Sequence, residues 1–173
     1  VARVSSRILP KLDCRADCAA RRNSVSLAGN EQAWTTEKRM TFLLAVDRNH
    51  RVLRAKATGV IATQDLEDLD TALIAFLSRE EATDEAPYRG LYDFSEVASI
   101  AVPQSRAAAR GSRMSIVRGQ RVMVRSQSVS CGVVGTFVQS QKLTGDNLLT
   151  VVDSLDEAHT LLGLDMPKFE VIG

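Results

Sequence analysis

Between Thr41 and Leu162 the chain alternates strand-like and helix-like segments, and this alternation constrains the fold more than any single residue does. Thr41 to Asp47 and Arg51 to Thr58 read as a hairpin joined by the polar turn Arg48-Asn49-His50. In the second strand Leu53, Ala55 and Ala57 share one face and Arg54, Lys56 and Thr58 the other, the period of a half-buried strand. Gly59 is expected to end it. Thr63 reads as the N-cap of a helix, with Asp65, Glu67 and Asp68 near the positive end of its dipole. Leu66, Leu69, Leu73, Phe76 and Leu77 give that helix one apolar stripe, which runs out by about Glu81.

A polar loop containing Pro87 leads into a strand from Tyr88 to Phe94, whose lack of clean alternation suits a central strand covered on both faces. Pro103 fits the first turn of a second helix, expected to run toward Val117, with Arg106, Arg110 and Arg113 sharing one side. Val122 to Val124 reads as a short strand, Cys131 to Gln139 as a third helix and Leu148 to Val152 as the last core strand. Ser154 and Glu157 form a capping box that opens a final helix, Leu155 to Leu162, closed by Gly163. The order is β-β-α-β-α-β-α-β-α. Helical crossovers between strands imply an α/β fold with a mixed, mostly parallel sheet of about five strands and about four helices.

The 173 residues are 45% hydrophobic and 25% charged, enough to bury a core without a disulfide or metal staple. Net charge is +1, so bulk electrostatics supply no reason to expect a nucleic-acid partner. The near-neutral total hides a split. Eight basic residues face four acidic ones before Met40; of the 22 basic and 21 acidic residues overall, that leaves 14 against 17 for the remainder. The expected organisation is a basic, disordered extension over residues 1–39, a folded domain over 40–165 and a short tail over 166–173. Met40 stands directly before the first strand, so the extension also reads as an artefact of start-site choice. It holds no apolar run of signal-peptide or membrane-spanning length. Cys14, Cys18 and Cys131 are an odd set with no second ligand pair to complete a zinc site, which points to a reducing, cytoplasmic setting and no metal or other cofactor.

Three strings then carry a family resemblance. Gly90-Leu91-Tyr92-Asp93-Phe94-Ser95-Glu96-Val97 is a strand ending in Asp and a hydroxyl-bearing turn. Cys131-Gly132-Val133-Val134-Gly135-Thr136-Phe137 is a glycine-bearing helix start. Val151-Val152-Asp153-Ser154-Leu155-Asp156-Glu157-Ala158-His159-Thr160-Leu161-Leu162 is a strand followed by a capped helix. From about Met40 to Leu164 the chain resembles the SpoIIAA-like branch of the STAS fold, which contains bacterial anti-sigma-factor antagonists. The resemblance implies a non-catalytic regulatory module that meets a protein partner, anti-sigma-factor-like, with homodimers in keeping. In such antagonists a Ser at the start of the helix after the third strand is phosphorylated; here that register falls on Ala101-Val102-Pro103, which has no hydroxyl. Part of the wider branch is grouped with CRAL-TRIO-like lipid carriers, which implies an apolar ligand as the alternative.

Two groups of residues are candidate sites. Asp93, Ser95 and Ser99 are expected in the loop after a parallel strand, the edge where ligands bind in open α/β sheets, although turn chemistry alone explains the same residues. Arg106, Arg110 and Arg113 offer guanidinium forks to an anion or an acidic partner helix, or simply a solvated face. His50 belongs to a turn and His159 to the inward side of the last helix, so neither has a nucleophile to serve. No Gly-rich phosphate loop, G-x-S-x-G elbow or H-E-x-x-H is present, and an enzyme is the least expected class. An interaction module ranks first and a carrier of an apolar ligand near Phe94 and Phe137 second.

Overall fold

The structure, a computed structural model, describes residues 42–80, 85–129 and 131–172. The 1–39 extension, Cys14 and Cys18 therefore lie outside the described residues.

A hairpin opens the fold, formed by β1 (Leu43–Asp47) and β2 (Val52–Ile61). The helix α1 (Thr63–Arg79) leads to β3 (Arg89–Ile100), and α2 (Gln104–Gly111) leads to β4 (Arg121–Val124). The chain continues through α3 (Cys131–Leu143), β5 (Leu149–Val152), α4 (Leu155–Leu161) and β6 (Glu170–Val171). The six strands lie in the order β5-β4-β3-β2-β1-β6, with β2 to β5 mutually parallel and β1 antiparallel to both its neighbours. The fold is α/β, as the alternation predicts, but with six strands among the described residues instead of about five. The sixth comes from the segment read as a tail: Ile172 N donates to Leu44 O at 2.9 Å, and Lys168 N to the buried Asp47 carboxylate at 2.8 Å.

Strand periodicity divides the sheet into two chemically different faces. Leu53, Ala55, Phe94, Met123 and Leu149 point toward α1 and α3. The residues between them, Val52, Leu91, Val122, Val124 and Val152, face α4 and the C-terminal segment, where Phe169 packs. The stripe of α1 buries Leu69, Leu73 and Phe76, and Phe76 meets Tyr88 edge-on with ring centroids 5.7 Å apart. Each such side chain contributes about 1.5–3 kcal/mol through burial. The N-cap of α1 is Ala62, not Thr63, because the Asp65 carboxylate accepts the Ala62 amide at 2.7 Å. Ser154 caps α4 as expected, accepting from Glu157 N at 3.2 Å.

Two elements differ in length from the sequence reading. Gly59 does not end β2: it adopts φ +80°, beside register shifts against β3, and the strand continues to Ile61. A residue without Cβ tolerates that left-handed turn, so the strand bends and carries on. Its partner β3 likewise runs on to Ile100, because Val97 is buried and pairs with Gly59 while Ile100 pairs with Ile61. Among the described residues no helix is long and apolar enough to cross a membrane.

Leu91 is fully buried between β2 and β4 under α4. Leu91→Ala is expected to lower unfolding free energy by about 2–5 kcal/mol, as large-to-small core changes do. Urea denaturation checks this, with Thr150→Ala on the exposed part of β5 as a control that stays within about 0.5 kcal/mol.

Candidate functional site

Between the sheet and helices α1, α2 and α3 lies a cavity of about 450 Å³. Tyr92, Phe94, Met123 and Leu149 form its floor, all from the face that looks toward α1 and α3. Leu66, Leu69 and Leu73 line it from α1, and Val133, Val134 and Phe137 from α3. The reason for the space is the helix between them. The short α2 buries only Ala107 and Gly111, of which Ala107 lines the cavity beside Arg110, and its packing against α3 is close: a Cβ at Gly111 would stand 2.4 Å from Phe137 O. Small side chains on a tightly seated helix leave volume beneath it that no neighbour fills.

The cavity is apolar at one end and polar at the other. Ile61, Ile100, Val102, Val133 and Val134 lie where β2 and β3 finish and α3 begins. Arg121 opens β4 and Gln141 sits in the last turn of α3, so both belong to the opposite end, where the parallel strands start. Arg121 is 2% exposed and its guanidinium pairs with Asp146 through Nη2, while Nε has no hydrogen-bond partner. Gln141 is 4% exposed and its Oε1 also has none. Tyr92 adds a hydroxyl from the floor. Burial pushes its pKa up to about 12, against the opposing pull of Arg121 and Arg110, so it remains a neutral donor at working pH.

Arg110 reaches from α2 to α1 and grips the Asp70 carboxylate with both terminal nitrogens, while its Nη1 also donates to Leu66 O at 3.3 Å. This bidentate pair ties the two helices across the cavity. At the rim, Ile74 on α1 and Met114 beyond α2 are 53% and 72% exposed and make an apolar doorway. Beyond Arg121 a second hollow of about 480 Å³ is lined by Arg118, Thr144 and Asn147.

The residues singled out from sequence are distributed differently from the expectation. Asp93, Ser95 and Ser99 belong to β3 itself, since the strand extends through the segment read as a loop. Asp93 is fully buried on the face opposite the cavity, 2.5 Å from Arg54 Nη2, and accepts from the Ser95 hydroxyl at 2.6 Å. Ser95 and Ser99 are exposed on the arm that β3 forms with β2. The three arginines do not make one helical stripe, because α2 stops at Gly111 and leaves Arg113 in the following connection. Arg110 and Arg113 line the cavity, and Arg106 is exposed on α2 outside it. His50 Nδ1 lies 2.9 Å from the Asp47 carboxylate in the β1–β2 turn, and His159 is half-buried on α4 with a buried, unpartnered Nε2. Among the described residues no group of His, Cys, Asp and Glu is placed to hold a metal ion.

Tyr92, Arg121 and Gln141 are site residues that sequence reasoning passed over. They stand on three different elements, so no spacing links them; the one available signal was an arginine beginning an apolar strand. Phe94 and Phe137, by contrast, both line the cavity. No family model, curated protein or solved structure matches this chain.

The opposite face has a pH signature of its own. Burial would raise the Asp93 carboxyl, but the bonds from Arg54 and from the Ser95 hydroxyl and amide outweigh it, and its pKa lies below the ordinary 3.8. A carboxylate depressed on folding adds stability that is complete above the unfolded value and lost as pH falls through the folded one. Asp93→Asn is therefore expected to cost about 1–3 kcal/mol at neutral pH. The variant's stability is then expected to decline less than the parent's below pH 3.8. Urea midpoints measured across that range check this, and parallel curves for the two proteins contradict it.

Proposed function

We propose that this chain is a non-catalytic carrier or sensor of a small apolar or amphipathic ligand, bound between the sheet and helices α1 to α3. The observation that carries this reading is the cavity: its volume falls within the ordinary range of small-molecule sites, and its lining is largely apolar with a few convergent polar groups. The hollow opens to solvent at the exposed Ile74 and Met114, so its apolar lining meets water when unfilled, and an apolar guest removes that surface from water.

A second reading is a STAS-like protein-interaction module in the cytoplasm, related to anti-sigma-factor antagonists. The observation favouring it is the order of elements, β-β-α-β-α-β-α-β-α before β6, together with the exposed Arg106 on α2. It would operate without the phosphorylation switch, because α2 starts after Pro103, where no side chain caps the helix. The two readings are compatible in a ligand-gated module.

Native mass spectrometry of freshly purified protein is expected to show a co-purifying small apolar molecule. Ala107→Phe, which projects a ring from α2 into the cavity, is expected to abolish that retention. In a filled core such an insertion costs about 1–3 kcal/mol; here the ligand-free variant is expected to match or exceed the stability of the ligand-free parent. A destabilised variant that still retains the molecule would count against the reading.

A further inference from the structure

The second hollow, of about 480 Å³, lies where the parallel strands start, between the connection that follows α2 and the turn that follows α3. Arg113 and Arg118 line it from the connection and Asn147 from the turn, while Arg121 lines both hollows. Three guanidiniums thus meet one carboxylate in its lining, that of Asp146. Asp146 is already engaged, accepting from Arg121 Nη2 and, at 3.3 Å, from Leu148 N. Arg113 and Arg118 are exposed and have no ion-pair partner among the described residues; Arg118 Nη1 donates only to the Met114 sulfur, a weak and uncharged acceptor. One exposed arginine is an ordinary solvated cation. Two in a hollow without a free carboxylate make a local excess of positive charge. We infer that the second hollow binds the phosphoryl group of a phosphate monoester, with Arg113 and Arg118 as charge partners and Ser115 and Asn147 as neutral donors.

The choice of phosphate follows from charge and donor placement. A monoester phosphoryl group carries about −1.5 to −2 charge at neutral pH and three acceptor oxygens. Two free guanidinium forks match that charge, whereas a carboxylate would leave one of them without a counterpart. The neutral donors are selected by what their neighbours already hold. The Ser112 and Thr144 hydroxyls also line the hollow, but they donate to Ala108 O at 3.0 Å and to Gln141 O at 2.8 Å. The Ser115 hydroxyl and the Asn147 amide have no such commitment among the described residues. They stand on opposite walls, an arrangement suited to a tetrahedral group more than to a planar one.

The site rests on its own residues; the carrier reading enters only in deciding what the phosphoryl group is attached to. Arg113, Met114, Ser115 and Arg121 line both hollows, so the two spaces adjoin at the apolar doorway. An alkyl ester would pass its chain by Met114 into the first hollow. A compact polar ester would stay within the second.

Isothermal titration of the full chain with dodecyl phosphate, dodecanoate, dodecanol and glycerol phosphate, each below any micellar concentration, tests the assignment. Dodecyl phosphate is expected to bind at least about tenfold more tightly than dodecanol, the scale of hydrogen bonds to charged groups, and more tightly than dodecanoate. The double variant Arg113→Gln, Arg118→Gln is expected to erase that advantage while leaving dodecanol affinity within about twofold. Both side chains are exposed, so the variant is expected to fold as the parent does. Glycerol phosphate binding that is lost in the double variant and kept in Ala107→Phe supports the site with a compact ester as its ligand. If dodecanol fails to bind while glycerol phosphate binds, the carrier reading falls and the phosphate site stands. If dodecanol binds and neither phosphate ester gains from its phosphoryl group, the phosphate site is overturned and the carrier reading stands. Dodecanoate binding as tightly as dodecyl phosphate, or a phosphate preference unchanged in the double variant, also overturns the assignment.

Discussion

The register of β3 between β2 and β4 is the constraint on which the rest of the molecule depends. Tyr92 stands opposite Ala55 on one side and Met123 on the other, which turns Tyr92 and Phe94 toward the helices that enclose the cavity. The alternate residues Leu91 and Asp93 are consequently committed to the opposite face, where Leu91 is sealed under α4 and Asp93 is paired with Arg54. Because the side-chain period is two, a slip of one residue would move a carboxylate into the apolar chamber and the cavity floor out of it. The Arg54–Asp93 pair thus serves as a lock on register, and the cavity inherits its composition from that lock.

The roof of the cavity depends on a second, smaller device. On one side α2 is pressed against α3 at Gly111, where no Cβ fits, and on the other it is tied to α1 through Arg110 and Asp70. Between these fastenings the one apolar side chain that α2 presents to the cavity is Ala107. A larger residue there would fill the space; a looser fastening would let the helices collapse onto the sheet. The chamber therefore follows from how α2 is held and what it lacks, and its polar end from the Arg121–Asp146 pair behind it.

Much of the framework was legible in the sequence because it rests on local periodicity. The apolar stripe of α1, the two-residue alternation of β2 and the Ser154 cap of α4 each announce an element within a window of a few residues. The same logic fails where non-local pairing decides. Ser95 and Ser99 read as loop residues because nothing nearby shows that β3 runs on to Ile100 beside β2, which continues past Gly59 and pairs Val60 with Ser99. Glu170 and Val171 form too short a strand to have a period, and they are ordered by β1, more than 120 residues earlier. Arg113 reads as part of a helix that in fact stops once Gly111 is seated against α3.

By itself the sequence determined the alternating α/β order, the partition of apolar and polar faces along each element, and the placement of Phe94 and Phe137 among apolar surroundings. Each of these follows from side chains within one or two turns or pleats of each other. Only the tertiary structure decided that α1, α2 and α3 border an open hollow over the sheet instead of a filled core, and that Tyr92, Arg121 and Gln141, from three separate elements, all belong to its lining. A void is the difference between the volume that helices enclose and the volume that their side chains fill. That difference depends on how elements distant in the chain approach one another, so no local pattern of residues contains it.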